Sequence, residues 1–393
     1  MIKCCICHCT FAIMKIAVTA IYLNSGPLEG YGHYSHEILR QLVDINQDHE
    51  FLFLYDRPLQ KVLIQHPRVS HEVIGPPTRQ PLALAFWYHI RASIRVRKWG
   101  ADVWLQPYGM ASFYSKIPQL LIVHDLAAFH FPKAIPWYHR WHYQLFTLKA
   151  IQKATLVAAV SRATRDDILL QFSTLTKQEV VVLPGAARKI FQPAEWEMAR
   201  KIKEKYTGGQ EYFLVAGSIH PRKNLLTLLK AFSQFKKWQK SNMKLVIAGR
   251  WAWQNEAITA KLSTYKYKND LVITGYITDQ EMAEIMSGAY ALVYPSVWEG
   301  FGLPVLEAMQ CGIPVLASDQ PALRETGGNA ACYFNPQDPD ELAEQMKKLY
   351  RNENWKQELV REGFQQNEKF SWHKTATLLE TYLCSIAQSK STT

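Results

Sequence analysis

Two carboxylates, Glu299 and Glu307, stand eight residues apart in the run Tyr-Pro-Ser-Val-Trp-Glu-Gly-Phe-Gly-Leu-Pro-Val-Leu-Glu-Ala-Met-Gln-Cys-Gly-Ile-Pro-Val-Leu from Tyr294 to Leu316. Between them Gly300, Phe301 and Gly302 read as a tight turn. Leu303 and Pro304 then open a helix, because proline is tolerated in a first turn whose N–H groups have no intrahelical partner. Free amides and a helix dipole converging on one spot suit an anion. Carboxylates are poor neighbours for phosphate but good acceptors for sugar hydroxyls, so a phosphate cradle flanked by hydroxyl acceptors suits a nucleotide-sugar. A second cluster, Gly217-Ser218-Ile219-His220-Pro221-Arg222-Lys223-Asn224, follows an apolar run at Tyr212–Ala216. Arg222 can fork onto diphosphate oxygens and Lys223 can add a point charge. A third is His124-Asp125, at the end of the apolar run Leu120–Val123.

These groups need parallel strands to carry them, since residues at the carboxyl ends of such strands face the ligand crevice. Apolar runs at Lys15–Ala20, Phe51–Tyr55, Val103–Gln106, Leu120–Val123, Leu156–Val160 and Val180–Leu183 predict one such sheet. Tyr212–Ala216, Lys244–Ala248 before Gly249, Leu271–Thr274, Ala291–Tyr294 and Ile313–Leu316 predict another. The fold class is therefore α/β, with two doubly wound, Rossmann-like domains. Helices are predicted from Ser35 to Asp44 and from Leu225 to Trp238; Ser161 is a plausible N-cap, and Thr278 with Glu281 a capping box. The polar stretch Gln192–Thr207 reads as the interdomain link. No Gly-x-Gly-x-x-Gly follows the first strand, so a dinucleotide reading is weak.

At 393 residues two domains are the natural expectation. Hydrophobic content of 48% and charged content of 20% indicate a globular chain. No run is apolar enough to predict a membrane-spanning helix. The net charge is +11, and residues 1–196 supply +8 of it, from 21 Lys+Arg against 13 Asp+Glu. That basic half suits an anionic membrane surface or a lipid-phosphate acceptor; no nucleic-acid module is visible. Residues 81–98 combine aromatics with Arg91, Arg95, Arg97 and Lys98, either as a membrane-facing amphipathic helix or as a packed helix with a solvated cationic face. The Trp137–Tyr143 aromatics fit either core or acceptor-side surface. Cys4, Cys5, Cys7 and Cys9 allow a partial zinc site or a lipidated tail, but Met14 looks like a natural start, so residues 1–13 are expected to be a non-native or disordered extension. Scattered thiols elsewhere fit a reducing, cytoplasmic setting.

The wording Pro-Ser-x-x-Glu-Gly-Phe-Gly-Leu-Pro-x-Leu-Glu-Ala-Met resembles the Glu-x7-Glu signature of family 4 retaining glycosyltransferases, which have the GT-B architecture. The Pro-Arg-Lys-Asn box and the His-Asp pair resemble the same family, mannosyltransferases above all, with one departure: Ser218 stands where some members carry a basic residue. The resemblance spans nearly all of residues 14–388. It implies an acceptor-side domain at 14–195, a nucleotide-sugar domain at 210–370, and a terminal helix at 371–388 that crosses back to the first domain. Arg222, Lys223 and the Gly300–Leu303 amides would hold the diphosphate, Glu307 the ribose, and Glu299 the transferred sugar. His124 would line the sugar site, with Gly30 and Gly32 in a cleft loop, Gly217 and Gly249 at strand ends, and Tyr276 and Ile277 beside the base. GDP-mannose is the expected donor, a glycan or lipid-linked glycan the acceptor, and polysaccharide synthesis the setting. No dedicated nucleophile is evident, which favours front-face displacement. No metal is expected: the one Asp-x-Asp, Asp338-Pro339-Asp340, reads as the capped start of a helix. A nucleotide-sugar 2-epimerase shares this architecture, but the Phe-Gly-Leu-Pro box is not its wording. A phosphorylase lacks a pyridoxal-binding context, and an inactive carbohydrate-binding subunit would have a broken signature.

Overall fold

Strand after strand is apolar along its whole length, not at alternate positions, which is the pattern of sheets covered on both faces. The computed structural model describes residues 13–388 except 25, 27, 46–47, 133–136, 173–174, 176–178 and 252–255, with only the backbone of 137–143. Residues 1–12 and the Trp137–Tyr143 side chains thus lie outside the described residues.

The first sheet contains β1 (Lys15–Thr19), β2 (Glu50–Tyr55), β3 (Val69–Val73), β4 (Val103–Gln106), β5 (Gln119–Val123), β6 (Leu156–Ala159) and β7 (Val180–Val182), in the order β3-β2-β1-β4-β5-β6-β7. The second contains β8 (Tyr212–Ala216), β9 (Lys244–Ala248), β10 (Leu271–Gly275), β11 (Ala291–Tyr294), β12 (Val315–Ser318) and β13 (Ala331–Phe334), in the order β10-β9-β8-β11-β12-β13. Every pairing is parallel. In each sheet the order reverses direction beside the first strand, and the ligand crevice of a doubly wound domain opens at such a point.

Three local expectations change. The first helix runs from Gly30 to Ile45, starting five residues before Ser35, so the glycine-rich segment forms its first turn and not a loop. Within that turn Gly32 is buried against Leu28. The presumed link contains a helix, Trp196–Thr207, whose buried Ile202 packs under Gly288 of the second domain. Strand β3 was not foreseen. Its sequence, Val-Ser-His-Glu-Val, is buried only at Val69, as befits a sheet edge.

The helix Trp372–Gln388 returns to the first domain. Its Leu379 and Leu383 share one apolar cluster with Ile38 and Leu42 of the first helix and with Val246 and Leu292 of the second sheet. The Thr375 hydroxyl donates to the Pro184 carbonyl at 2.7 Å, and Trp372 meets Tyr34 edge-on at 5.3 Å. On the far side of the first domain, residues 81–99 are helical with one wide turn at Trp87–Ala92. They bury Leu84, Trp87, Tyr88, Ala92 and Val96. Leu82, Phe86, Ile90 and Ile94 stay exposed at four-residue intervals beside exposed Arg91, Arg97 and Lys98. Among the described residues no helix is long and apolar enough to cross a membrane.

Candidate functional site

The two sheets face one another across a cavity of about 970 Å³. Its lining includes His124, Gly30, Gly217, Arg222, Lys223, Gly249, Tyr276, Ile277, Glu299, Gly300, Phe301, Gly302, Leu303 and Glu307. Of the site residues expected from sequence, Gly32 alone is not on that wall; the earlier start of its helix turns it inward.

The cationic end is built inside the second domain. After β8 the chain makes a short helical turn at Pro221–Lys223, capped by His220, whose Nδ1 accepts from the Arg222 amide at 3.1 Å. Lys223 Nζ donates to Tyr294 Oη and to Glu299 Oε1, both at 2.7 Å. Arg222 Nη1 donates to the Trp298 carbonyl at 2.8 Å and to Glu299 Oε2 at 3.2 Å. Burial alone would raise the Glu299 carboxyl, but Arg222 and Lys223 outweigh it and hold the group at about 2. Burial pulls Lys223 below the ordinary lysine value, against the attraction of Glu299. The three ionised groups sum to one positive charge, which suits an anion of higher charge. Gly302 caps the Leu303–Gln310 helix, whose first turn also faces the cavity.

Glu307, nearly fully buried on that helix, has its partner in the other domain. Arg188, which follows β7, donates from Nε to Glu307 Oε1 at 2.6 Å. Its Nη1 reaches Asp279 Oδ1 at 3.1 Å and His33 Nδ1 at 2.9 Å. His33 Nε2 lies 3.3 Å from the same Asp279 oxygen. Burial works against the Arg188 charge, but Glu307 and Asp279 overcome it and raise its pKa. Arg188, Asp279 and His33 went unnoticed in the sequence. Arg188 carries no motif, and only the meeting of the two domains gives it partners.

Close backbone approach fixes the seam below the cavity. A Cβ on Gly300 would lie 1.8 Å from the His124 carbonyl oxygen, so only glycine lets the domains touch there. Within the second domain, at the ends of β8 and β9, a Cβ on Gly249, at φ +152, would lie 2.0 Å from the Gly217 carbonyl oxygen. The Gly300 carbonyl accepts from Ser161 Oγ at 2.5 Å and Thr164 Oγ1 at 3.0 Å. Ser161 also caps its own helix, accepting from the Thr164 amide, as expected. Glu325 of the second domain accepts from the Arg162 and Ala163 amides at 3.0 and 3.2 Å, so a carboxylate sits at that helix's positive end. His124 itself is half-buried, with Nε2 2.8 Å from the Pro107 carbonyl; desolvation lowers its pKa, which favours the neutral ring.

On the first-domain side Tyr22, Tyr31 and Tyr108 line the cavity, with ring centroids 4.6–6.2 Å apart. Asp338 and Asp340 are not on the wall. Asp338 caps the Pro339–Arg351 helix, accepting from the Asp340 and Glu341 amides.

Residues 198–366 match the family model of glycosyl transferases group 1. The O-antigen chain mannosyltransferase B of Escherichia coli is 25% identical over 368 residues, 89% of this chain and 94% of that protein. The serotype-specific mannosyltransferase WbdA of Escherichia coli is 29% identical over 235 residues, which is 59% of this chain but only 29% of that longer protein. Sucrose-phosphate synthase from Thermosynechococcus elongatus shares the fold at a TM-score of 0.77 and 20% identity, over 96% of this chain and 100% of that one.

Proposed function

We propose that this chain, a family-4-like hexosyltransferase of the GT-B fold, moves mannose from GDP-mannose to a glycan or lipid-linked glycan in cell-surface polysaccharide synthesis. The observation that carries the reading is the pair of half-buried Arg222 and buried Lys223, set at one end of an interdomain cavity and clamped together by Glu299. Positioned cations in a dry cleft are what a departing diphosphate needs. Mannose is favoured because both Escherichia coli relatives named above are mannosyltransferases. The tyrosine wall of the first domain offers flat apolar faces to an acceptor sugar.

The expected chemistry is a front-face displacement. The bond from C1 of the sugar to the phosphate oxygen breaks as the acceptor hydroxyl oxygen bonds C1 from the same side. The hydroxyl proton passes to the departing phosphate oxygen. Arg222, Lys223 and the start of the Leu303–Gln310 helix stabilise the charge on the leaving group. They also supply the neutralisation for which a divalent metal is often used, so transfer is expected to persist in excess EDTA, with the donor's anomeric configuration kept. The assay offers GDP-mannose, UDP-glucose and ADP-glucose, each alone and with glycan acceptors, and reads the product's anomeric proton by NMR. Transfer abolished by EDTA and restored by Mg²⁺ would overturn metal independence; an inverted linkage would overturn retention. Isomerised sugar formed from donor alone would favour an epimerase.

Peripheral membrane contact belongs to this reading. The exposed stripe Leu82, Phe86, Ile90 and Ile94, flanked by Arg91, Arg97 and Lys98, supports it. Flotation with anionic liposomes should show binding at low salt that fades as salt screens the charges. No binding at low salt refutes it.

A further inference from the structure

We propose that Arg188 is a positioning residue of the donor site, a clasp from the first domain that aims Glu307 and holds the cleft closed through Asp279. The aiming half rests on the reading of Glu307 as the nucleotide-side acceptor; the closing half stands on contacts alone.

Arg188 is itself nearly buried, its guanidinium 4.9 Å from the centre of the Phe191 ring. One planar group serves Glu307, Asp279 and His33 at 2.6, 3.1 and 2.9 Å, a division of labour that an ammonium cannot copy. Two of those partners stand on the second domain and the third on the first helix, so the fork bridges the cleft. Glu307 Oε1 is occupied by Arg188, and no other hydrogen bond to this carboxylate exists among the described residues. Oε2 is therefore left for a ligand, in an orientation set by the guanidinium. Without Arg188, Glu307 becomes a buried carboxylate with no counter-charge. Such a group takes up a proton and loses an acceptor. The second domain holds most of the donor wall, but the first domain decides whether Glu307 is usable.

The experiment uses the full chain. Calorimetry with GDP, UDP and ADP selects the tightest nucleotide as the probe, which is then titrated into Arg188→Ala, Arg188→Lys and Asp279→Asn. Arg188→Ala should weaken binding by about tenfold or more, and Arg188→Lys should recover part of it. Donor KM should rise more than kcat falls. X-ray scattering without ligand should show a larger radius of gyration for both Arg188→Ala and Asp279→Asn. Nucleotide affinity within twofold of wild type in Arg188→Ala overturns the aiming role. Unchanged scattering from both variants overturns the clasp. If the wild-type chain binds none of the three nucleotides, the donor reading above fails and the aiming role with it, while scattering still decides the clasp. Should Arg188→Ala not fold, Arg188→Lys and Asp279→Asn carry the same comparison.

Discussion

Glu299 and Glu307 share one signature and one cavity, yet they are held in opposite ways. Glu299 is gripped by Arg222 and Lys223 from its own domain, which the chain supplies from the loop after β8. Glu307 is gripped by Arg188 from the facing domain. The first arrangement survives any relative movement of the domains; the second exists only while they are together. A donor spanning both carboxylates would thus meet a preformed phosphate end and a nucleotide end that depends on closure.

The largest effect expected from breaking this asymmetry is at the preformed end. Lys223→Ala removes a buried cation from where the proposed leaving group would sit and should lower kcat by roughly 10²–10³-fold, as removal of one electrostatic stabiliser does elsewhere. Single-turnover rates with saturating donor check it, and a change under threefold would refute the role.

Next comes the contrast between the carboxylates themselves. Glu307→Ala should raise donor KM by roughly tenfold or more, in keeping with about 1.5–3 kcal/mol for a charged hydrogen bond. It should also loosen closure, because Arg188 then lacks its main partner. Glu299→Ala should act chiefly on kcat, since its loss leaves Arg222 and Lys223 misplaced for the transition state. Steady-state kinetics on both variants measure the split; full activity in either variant sinks the assignment.

A smaller effect comes from pH. Burial, then the Arg188 charge and His36, lower His33 from 6.5 to about 4, while Asp279 and Glu37 pull the other way. The depressed value means that the folded state binds fewer protons than the unfolded chain between those two pH values. His33's contribution is therefore complete above about 6.5 and is lost as pH falls through about 4. Glu299, lowered from 4.5 to about 2, keeps its contribution until pH drops below about 4.5. Between pH 6.5 and 5 the nucleotide end should loosen while the phosphate end holds. Donor KM should rise severalfold over that window in the wild type and stay flatter in His33→Gln; parallel profiles would refute the coupling.

The smallest expected effect tests the seam. Glu325→Ala removes the carboxylate at the Arg162–Gln171 helix start, a loss of about 1 kcal/mol by analogy with N-caps. The result should be a modest drop in melting temperature with donor KM unchanged. A KM shift matching that of Glu307→Ala would mean that the seam, not the clasp, governs closure.

The same asymmetry explains what could be read from the amino-acid sequence. Arg222, Lys223 and Glu299 sit in boxes where residue type and strand–helix context already imply an anion site. Every strand of the second sheet apart from edge strand β13 was expected from its apolar run. Arg188 lies in Pro-Gly-Ala-Ala-Arg-Lys, where nothing local asks for a ligand, and its partners are 119 positions away at Glu307 and 155 at His33. Edge strand β3 escaped notice because its exposed face carries polar residues. The Trp196–Thr207 helix is hard to read because a sequence half made of charged residues hides one buried isoleucine. Local chemistry was legible; chemistry made by two domains meeting was not.

The returning helix has a bearing on synthesis. The first domain's opening helix packs against Trp372–Gln388, and Tyr34 faces Trp372. A ribosome releases the amino-terminal half long before it makes residue 372, so that half waits with an apolar flank uncovered. Domains made first commonly finish folding first. Here the earlier domain completes its core only when Trp372–Gln388 arrives, so its apolar flank stays uncovered until that helix has been made.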